Sequence, residues 1–370
     1  MSTKRNIVFF LPNFSKGGAA NSIVRLCEKL DINKNNIYII SVGKNSYKKR
    51  ISKFCKKIYE LDFTKTIFSF LFIKKIVTKL ISENKKTIFI SNINYANVLT
   101  VIFLRNIKNL KIILIERTSI NELEVYFGLK DFFKKKIIKI LMIFFYKKAD
   151  KIIANSKTVA KSLQKLTNKK TFFIYPPSIK VVHKYKKPNY NKKKCLRMLT
   201  TGRLAIEKNL KTIILSLKYL NFSNFCLFIL GKGPEKDRLI NFVKLNKLQN
   251  KVKFFSHRDN LIKFYKNSDL FINSSYFEGF PNSVVEAINY NLPIICSRSG
   301  GGIEEILMNG RAGTFFENND YLSLSKQINI FRENPKIFYN KLKVANKNIK
   351  NFTLKNNLIS YNKVFDSLYK

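Results

Sequence analysis

The sequence predicts an α/β protein with two doubly wound parallel-sheet domains. Short apolar runs rich in β-branched residues alternate with longer segments of helical periodicity, which is the pattern of strand–helix–strand units. A polar, lysine-rich stretch near the middle interrupts this alternation. The chain has 370 residues, which is more than a single hydrophobic core usually includes. This length fits two domains of roughly 150–200 residues each.

The first half alternates between predicted strands and helices. The strands are apolar along their whole length, because helices cover both faces of a parallel sheet. These strands are Ile7–Leu11, Ile37–Val42, Thr87–Ser91, Lys111–Ile115, Lys151–Ala154 and Thr171–Tyr175. The helices between them are Ala19–Leu30, Ile67–Ile81, Ala96–Arg105, Asp131–Lys147 and Lys157–Leu166.

The alternation stops at Pro176-Pro177 and across His183–Lys194, a polar stretch without apolar periodicity. We therefore predict an N-terminal domain over 1–178, a linker over 179–194 and a C-terminal domain over 195–355. The second domain is predicted to contain strands Leu196–Thr201, Phe225–Leu230, Val252–Phe255, Leu270–Asn273, Pro293–Ser297 and Thr314–Phe316, and helices Leu210–Leu220, Glu235–Leu245 and Asn282–Asn289. Two such halves imply a cleft between them, and open α/β sheets bind ligands beyond the carboxyl ends of their strands.

Cysteine and histidine usage argues against a disulfide framework and against a zinc site. The five cysteines are scattered without a CxxC pair, and the two histidines, His183 and His257, stand far apart. We therefore expect reduced thiols in a cytoplasmic protein. The first apolar run, Ile7–Leu11, is shorter than the roughly 7–15 residues of the apolar h-region of a secretory signal peptide, and Ile137–Tyr146 is about half a membrane span. We expect a chain that is soluble or rests on a surface without crossing a bilayer.

The net charge of +47 is spread over the whole chain. Residues 1–180 carry 37 Lys and Arg against 10 Asp and Glu, and the remainder carries 33 against 13. Three explanations stay open: a compositional bias toward lysine, contact with anionic membrane lipid, and binding to nucleic acid. Against the last, the aromatic residues fall mostly in predicted strands and helices, without the repeated surface stacking pattern of RNA modules.

The sequence of one segment favours the explanation that the chain contacts a membrane surface. Lys130–Lys148 is too short and too basic to span a bilayer, yet a helix there could rest its apolar side in the interface. Within this segment, Lys134, Lys135, Lys136, Lys139, Lys147 and Lys148 frame Phe132, Phe133, Ile137, Ile138, Ile140, Leu141, Ile143, Phe144 and Phe145. The competing interpretation is that the apolar side belongs to the core of the domain.

Two basic or glycine-containing loops follow predicted strands. Lys16–Ala20 contains Gly17 and Gly18 ahead of a helix, a pattern typical of a tight turn as well as of a phosphate site. Thr201–Asn209 contains Arg203 and Lys208, which can both reach one ligand from the same loop. An Arg offers a two-pronged fork to phosphate oxygens, and a Lys offers a point charge.

The strongest motif is Glu278–Glu286, which places two carboxylates eight positions apart. Gly279 and Pro281 break any continuous helix, so Glu278 is expected on a loop and Glu286 on the second turn of the following helix. Such an arrangement lets one acid face a sugar while the other accepts hydrogen bonds from ribose hydroxyls. The alternative is that Glu286 is an ordinary solvated helix residue, although its apolar neighbours suggest burial.

These motifs together resemble glycosyltransferase family 4, whose members have the GT-B fold of two Rossmann-like domains facing a cleft. The resemblance extends over nearly the whole chain. It is carried by the E-x7-E element Glu278–Glu286, the Gly17-Gly18 loop, the strand Ala149–Ser156, the "GR…KN" loop Gly202–Asn209 and the "G-x-G-P" turn Gly231–Pro234. It also implies that a closing helix over about 356–370 packs back on the N-terminal domain.

The resemblance implies a retaining, metal-independent transfer from a nucleotide diphosphate sugar, with no cofactor. Arg203 and Lys208 would neutralise the departing diphosphate, with backbone N–H groups of Gly17 and Gly18 assisting. Glu278 would touch the transferred sugar and Glu286 would hold the ribose. Phe280 and Asn282 would line the donor pocket.

The chain departs from many relatives at Glu116-Arg117, where those relatives carry a histidine. An "ER" pair resembles a bacterial subgroup that acts on UDP-N-acetylhexosamines and lipid-linked saccharides, so both residues are acceptor-side candidates. The implied role is surface polysaccharide or lipopolysaccharide synthesis, with peripheral contact to the cytoplasmic membrane and no nucleic-acid partner. The alternatives are a non-catalytic nucleic-acid-binding protein and another GT-B enzyme, such as a sugar-nucleotide epimerase or a phosphorylase.

Overall fold

The computed structural model describes residues 4–15, 17–84, 86–256 and 261–369. The chain forms two compact units. Unit 1 consists of Met1–Pro177 together with Leu354–Lys370, and unit 2 consists of Ser178–Thr353. Among the described residues, no helix combines the length and the apolar character that crossing a membrane requires.

Unit 1 is built on a seven-stranded sheet in which all neighbouring strands are parallel. Its strands are β1 Arg5–Phe10, β2 Asn35–Ser41, β3 Lys57–Glu60, β4 Thr87–Asn92, β5 Leu110–Glu116, β6 Lys151–Ala154 and β7 Thr171–Phe173. Their order in the sheet is β3-β2-β1-β4-β5-β6-β7. The direction of chain progression therefore reverses at β1.

Helices cover both faces of this sheet. They are α1 Gly18–Cys27, α2 Lys48–Ile51, α3 Thr66–Glu83, α4 Asn94–Leu104, α5 Leu129–Phe145, α6 Lys157–Thr167 and the closing α14 Leu354–Asp366. The core on one face takes side chains from α3, α4, α5 and α6. The core on the other face takes them from α1, α2 and α14, with Tyr361 and Phe365 of the closing helix buried there.

Unit 2 is built on a six-stranded parallel sheet of order β10-β9-β8-β11-β12-β13. Its strands are β8 Leu196–Thr201, β9 Phe225–Leu230, β10 Val252–Phe255, β11 Leu270–Asn273, β12 Ile294–Ser297 and β13 Thr314–Phe316. Its helices are α7 Leu210–Ser216, α8 Lys236–Leu245, α9 Leu261–Asn267, α10 Asn282–Asn289, α11 Gly302–Ile306, α12 Tyr321–Glu333 and α13 Pro335–Asn348. Here the order reverses at β8, and in such sheets the reversal point is where ligands bind.

The segment predicted as a linker, 179–194, lies within unit 2 and contains no helix or strand. Its backbone is held by asparagines: His183 N donates to Asn289 Oδ1 at 2.9 Å, and Lys186 N donates to Asn291 Oδ1 at 3.1 Å. Side-chain amides thus satisfy backbone groups that have no ladder partner. The structure therefore packs this polar stretch on the second unit.

Candidate functional site

The loop after β8 turns sharply and carries both predicted cations. Gly202 has φ +156°, and its N–H donates to the carbonyl of Leu230 at the end of β9, 3.0 Å away. The chain then makes a short 3-10 turn at Ile206–Lys208 before α7 begins. The Arg203 side chain is exposed, and none of the hydrogen bonds or ion pairs among the described ranges involves it.

The turn Gly231–Gly233 holds this loop in place by close backbone approach. A Cβ on Gly231 would stand 1.8 Å from the carbonyl oxygen of Gly202, and one on Gly233 would stand 2.1 Å from that of Leu204. Leu204 N also donates to Lys232 O at 3.0 Å. Glycine is therefore required at both positions, because any side chain would collide with the backbone of the loop after β8.

A pocket lies at the carboxyl ends of three adjacent strands of unit 2. Thr201 of β8, Leu230 of β9 and Asn273 of β11 contribute to its lining. Arg203 and Lys208 line it from the loop after β8. The sequence predicted both cations at one strand end, and the structure places them at the reversal point of the sheet, in one pocket.

Lys208 forms an ion pair with Glu278 inside this region. Lys208 Nζ lies 2.5 Å from Glu278 Oε1, and Ser275 Oγ donates to the same carboxylate oxygen at 2.7 Å. Ser274 Oγ donates to the backbone carbonyl of Lys208 at 2.8 Å. The loops after β8 and β11 are thus joined through both side chains and backbone, and Glu278 is mostly buried.

The backbone around Glu278 is clamped by the glycine loop after β12. Gly301 has φ +67° and ψ −140°, a combination that side chains rarely adopt. A Cβ there would stand 1.8 Å from the carbonyl oxygen of Glu278. Gly302 N donates to Gly279 O at 2.8 Å. The run Gly300–Gly302 therefore fixes the direction in which the Glu278 loop leaves β11.

Glu286 occupies the second turn of α10, as predicted from Pro281 and Gly279. Its Oε2 accepts a hydrogen bond from the hydroxyl of Tyr265 at 3.2 Å. The same hydroxyl lies 3.2 Å from Thr201 Oγ1 at the end of β8. Burial raises the pKa of Tyr265 well above its ordinary value, and the nearby Glu286 carboxylate adds to the rise. Tyr265 therefore stays protonated and links Glu286 to the strand end that carries the pocket.

Phe280 and Asn282 lie beside the two acids but outside the pocket that Arg203 and Lys208 line. Phe280 is buried, with its ring centroid 5.4 Å from that of Phe352. Asn282 Oδ1 accepts from Ser178 Oγ at 2.6 Å. Both residues brace the start of α10 in the structure.

In unit 1 the glycine loop stands at the end of β1, where that sheet also reverses. Gly17 precedes α1 and has an extended backbone, and no atom lies within 4 Å of where its Cβ would be. Gly18 is the first residue of the helix, and both glycines are exposed. The open approach fits a ligand that contacts backbone here, and Lys16 lies outside the described residues.

Glu116 is the last residue of β5, and Arg117 follows it directly. The Glu116 carboxyl is 1% exposed and is enclosed by unit 1: Tyr146 donates to Oε2 at 2.9 Å and Thr118 Oγ1 donates to Oε1 at 3.0 Å. Burial raises the pKa of this carboxyl to about 7. Arg117 Nε donates to Asn92 Oδ1 at 2.8 Å, and burial lowers the pKa of its guanidinium.

Arg117 also lines a small pocket of unit 1, with Asn155 and Asn357. The Oδ1 atoms of both asparagines are buried without a hydrogen-bond partner in the described part of the chain. Buried polar atoms normally have a hydrogen-bond partner, so these two oxygens are exceptions. Of the acceptor-side pair, Arg117 lines a cavity, while Glu116 lies in the interior.

Several residues that shape the site were not predicted. They are Ser275, Tyr265, the Gly300–Gly302 run, Asn155 and Asn357. The glycine run follows a predicted strand, so it was a visible signal, whereas nothing near Tyr265 in the sequence points to Glu286. His257 lies outside the described residues. Among those described, no group of three or more His, Cys, Asp or Glu side chains is placed to hold a metal ion.

Residues 182–352 match the model of a family described as glycosyl transferases group 1. An uncharacterized glycosyltransferase of Methanocaldococcus jannaschii is 33% identical over 252 residues, 62% of this chain and 60% of that protein. The Campylobacter jejuni N-acetylgalactosamine-N,N'-diacetylbacillosaminyl-diphospho-undecaprenol 4-alpha-N-acetylgalactosaminyltransferase is 26% identical over 217 residues, 56% of this chain and 58% of that protein. The chain thus spans less than two thirds of the length of these curated relatives. The matched segment is thus similar to the glycosyl transferases of group 1.

A solved structure of Anabaena HepE in complex with UDP-glucose superposes with a TM-score of 0.77, covering 98% of this chain and 99% of that one. At 16% sequence identity this likeness shows the fold alone. With its two parallel-sheet units, the chain has the GT-B fold. The predicted fold class is confirmed.

Proposed function

We propose that this chain is a retaining glycosyltransferase of family 4 that acts on a nucleotide diphosphate sugar. The transferred group is a hexose or N-acetylhexosamine and the nucleotide is UDP. The observation that carries the proposal is the unit 2 pocket, which Arg203 and Lys208 line from the loop after β8 and beside which Lys208 pairs with Glu278. This pocket lies inside the segment that matches the group 1 glycosyltransferases.

Arg203 and Lys208 bind the donor diphosphate and stabilise its charge as the glycosidic bond breaks. A Lys ammonium has three N–H donors, and the pair with Glu278 uses one of them, so others remain for phosphate oxygens. The exposed Arg203 guanidinium brings a second cation with fork geometry. Two cations can supply the stabilisation that a metal ion gives elsewhere, so the proposed reaction needs no metal.

Glu278 contacts the transferred sugar, because its carboxylate is held beside the pocket by Lys208 and Ser275. Glu286 accepts from the ribose hydroxyls, and Tyr265 fixes the orientation of its carboxylate. Phe280 and Asn282 shape the donor site by bracing the start of α10. Gly17 and Gly18 of unit 1 are proposed to bind phosphate through their backbone N–H groups, which suit an anion at a helix start.

On the acceptor side, Arg117 contacts the incoming saccharide or lipid-linked saccharide, and Glu116 is a positioning residue beneath it. The pocket that Arg117 lines has room for about one water molecule, which could donate to the two unsatisfied asparagine oxygens. The C. jejuni relative, named for an acceptor carried on diphospho-undecaprenol, supports a lipid-linked acceptor. The proposed setting is bacterial surface-glycan synthesis at the inner face of the cytoplasmic membrane.

The test is a donor panel with a stereochemical readout. The purified chain is incubated with UDP-, GDP- and ADP-sugars with and without a pooled saccharide acceptor, and products are followed by proton NMR. We expect one α-linked donor to release its nucleotide diphosphate and yield an α-linked product only with acceptor. Donor conversion without acceptor would indicate an epimerase instead, and a β-linked product would contradict the retaining mechanism.

A further inference from the structure

Helix α5 of unit 1 turns an apolar stripe toward solvent. Five of its large side chains are more than half exposed: Leu129 at 79%, Phe133 at 62%, Ile137 at 57%, Ile140 at 52% and Phe144 at 57%. With 3.6 residues per turn, these five positions fall within an arc of about 80°. The centre of the outer face of the helix is therefore apolar, the reverse of an ordinary surface helix.

The inner face of α5 packs Ile138, Leu141, Met142 and Phe145 against the core of unit 1. The same face also buries a charged residue, Lys135. Lys135 Nζ reaches inward, donating to the carbonyl of Val125 at 2.7 Å and pairing with Asp131 at 2.8 Å. Lys135 is therefore buried while Phe133 and Phe144 are exposed to solvent. The apolar stripe on the outer face is thus not part of the core of unit 1.

Exposed lysines flank the stripe on both sides. Their helical positions put Lys130 and Lys134 along one border and Lys136 along the other, and the exposed Lys147 and Lys148 follow in the 3-10 turn Tyr146–Lys148. Asp131, the acid of this helix, is already paired with Lys135. The outer face of α5 therefore presents an apolar strip between two rows of positive charge.

The neighbouring helices extend this surface. α4 packs against both α3 and α5 on the same face of the sheet. It exposes Ile102, and α3 exposes Ile67, Phe68, Leu71 and Phe72. Lys65 and Lys75 lie over the rings of Phe68 and Phe72, 5.9 and 5.8 Å from the centroids. Apolar side chains accompanied by lysines thus recur across this helical layer.

We propose that the outer face of α5, continued by α3, docks on an anionic lipid membrane. At the boundary between headgroups and acyl chains, the phenylalanines reach into the apolar region while flanking lysines extend toward the phosphates. A second copy of the chain is a poorer occupant, because a two-fold interface would set the same rows of lysines against each other. The inference goes beyond the transfer reaction and does not depend on it, since docking is measured without donor.

The test is co-sedimentation of the full chain with vesicles of phosphatidylcholine alone or with about a third phosphatidylglycerol, at low and high salt. We expect binding to the anionic vesicles at low salt, weakened at high salt. Phe133→Ser/Phe144→Ser and Lys134→Glu/Lys136→Glu should each lower the partition coefficient at least tenfold. Leu245→Ser, at a position 82% exposed in unit 2, and Lys336→Glu/Lys343→Glu are the matched controls and should bind like wild type.

All these positions are exposed, so the melting temperatures should be unchanged, which separates lost docking from unfolding. The proposal is overturned if wild type fails to bind anionic vesicles at low salt. It is also overturned if the double phenylalanine variant binds normally, or if high salt has no effect. A wild-type dimer that becomes monomeric in Phe133→Ser/Phe144→Ser without vesicle binding would instead identify a second copy as the occupant.

Discussion

Lys208 and Glu278 stand 70 positions apart in the chain, yet Lys208 Nζ and Glu278 Oε1 are 2.5 Å apart. The two residues follow β8 and β11, which are neighbours in the sheet although β9 and β10 separate them in sequence. The pair thus exists because the strand order reverses at β8. In the proposed mechanism these residues serve adjacent parts of one donor, the diphosphate and the sugar, and their contact explains how both are aligned.

Substitution of Glu278 and substitution of Glu286 should change different quantities, the turnover rate and the donor affinity respectively. Glu278→Gln should lower kcat on the order of a hundredfold, because the sugar changes charge as its bond breaks. Glu286→Gln should mainly raise the dissociation constant of the donor, roughly tenfold or more, since the ribose is bound alike in ground and transition states. Steady-state kinetics and calorimetric titration distinguish these effects, with Glu333→Gln as the exposed control. The reverse pattern would refute the division of roles.

The glycine run Gly300–Gly302, which holds the Glu278 loop, should not tolerate an added methyl group at Gly301. Gly301→Ala places a Cβ 1.8 Å from Glu278 O at φ +67°, whereas Gly310→Ala keeps a positive φ of +95° with its nearest contact at 3.7 Å. We expect Gly301→Ala to lose roughly 2–4 kcal/mol of unfolding free energy or most activity, and Gly310→Ala about 1 kcal/mol. Urea denaturation and turnover measure both. Equal, small effects would mean that the loop does not hold Glu278.

Glu116 should make stability depend on pH. The pKa of its carboxyl is about 7 in the folded chain and about 4.3 in the unfolded chain. Between these values the folded state binds more protons, so the free energy of unfolding falls as pH rises and levels off above about pH 7. Glu116→Gln should reduce the loss of unfolding free energy between pH 5 and pH 8 by about 3 kcal/mol. Urea titrations check this, with exposed Glu124→Gln as the control. An unchanged pH profile would contradict the burial argument.

The sequence located most strands well because parallel strands covered on both faces are uninterrupted apolar runs. Leu196–Thr201, Phe225–Leu230 and Leu270–Asn273 were predicted with the bounds that the structure has. The edge strand Lys57–Glu60 was missed, since it is short, half-polar and covered on less of its surface. The helices α2, α9, α11, α12 and α13 were also not predicted; α2, α9 and α11 have only 4, 7 and 5 residues, too few to show a helical period.

The site was only partly predictable for a similar reason. Local spacing placed Arg203 and Lys208 on one loop and separated Glu278 from Glu286. It could not reveal that Tyr265 supports Glu286, because that contact joins α9 to α10 through the tertiary fold. Likewise, the pattern of α5 shows two apolar sides, and periodicity alone does not decide that Lys135 turns inward while Phe133 turns outward.

The central claim is that Arg203 and Lys208 recognise the second phosphate of the donor. Its most direct test is calorimetric titration with the nucleoside diphosphate of the active donor and with the matching monophosphate. Wild type should prefer the diphosphate at least tenfold, about 1.4 kcal/mol, and Arg203→Ala/Lys208→Ala should lose that preference while Lys211→Ala keeps it. A wild type that binds both nucleotides equally, or a folded double variant that retains the preference, would contradict the account.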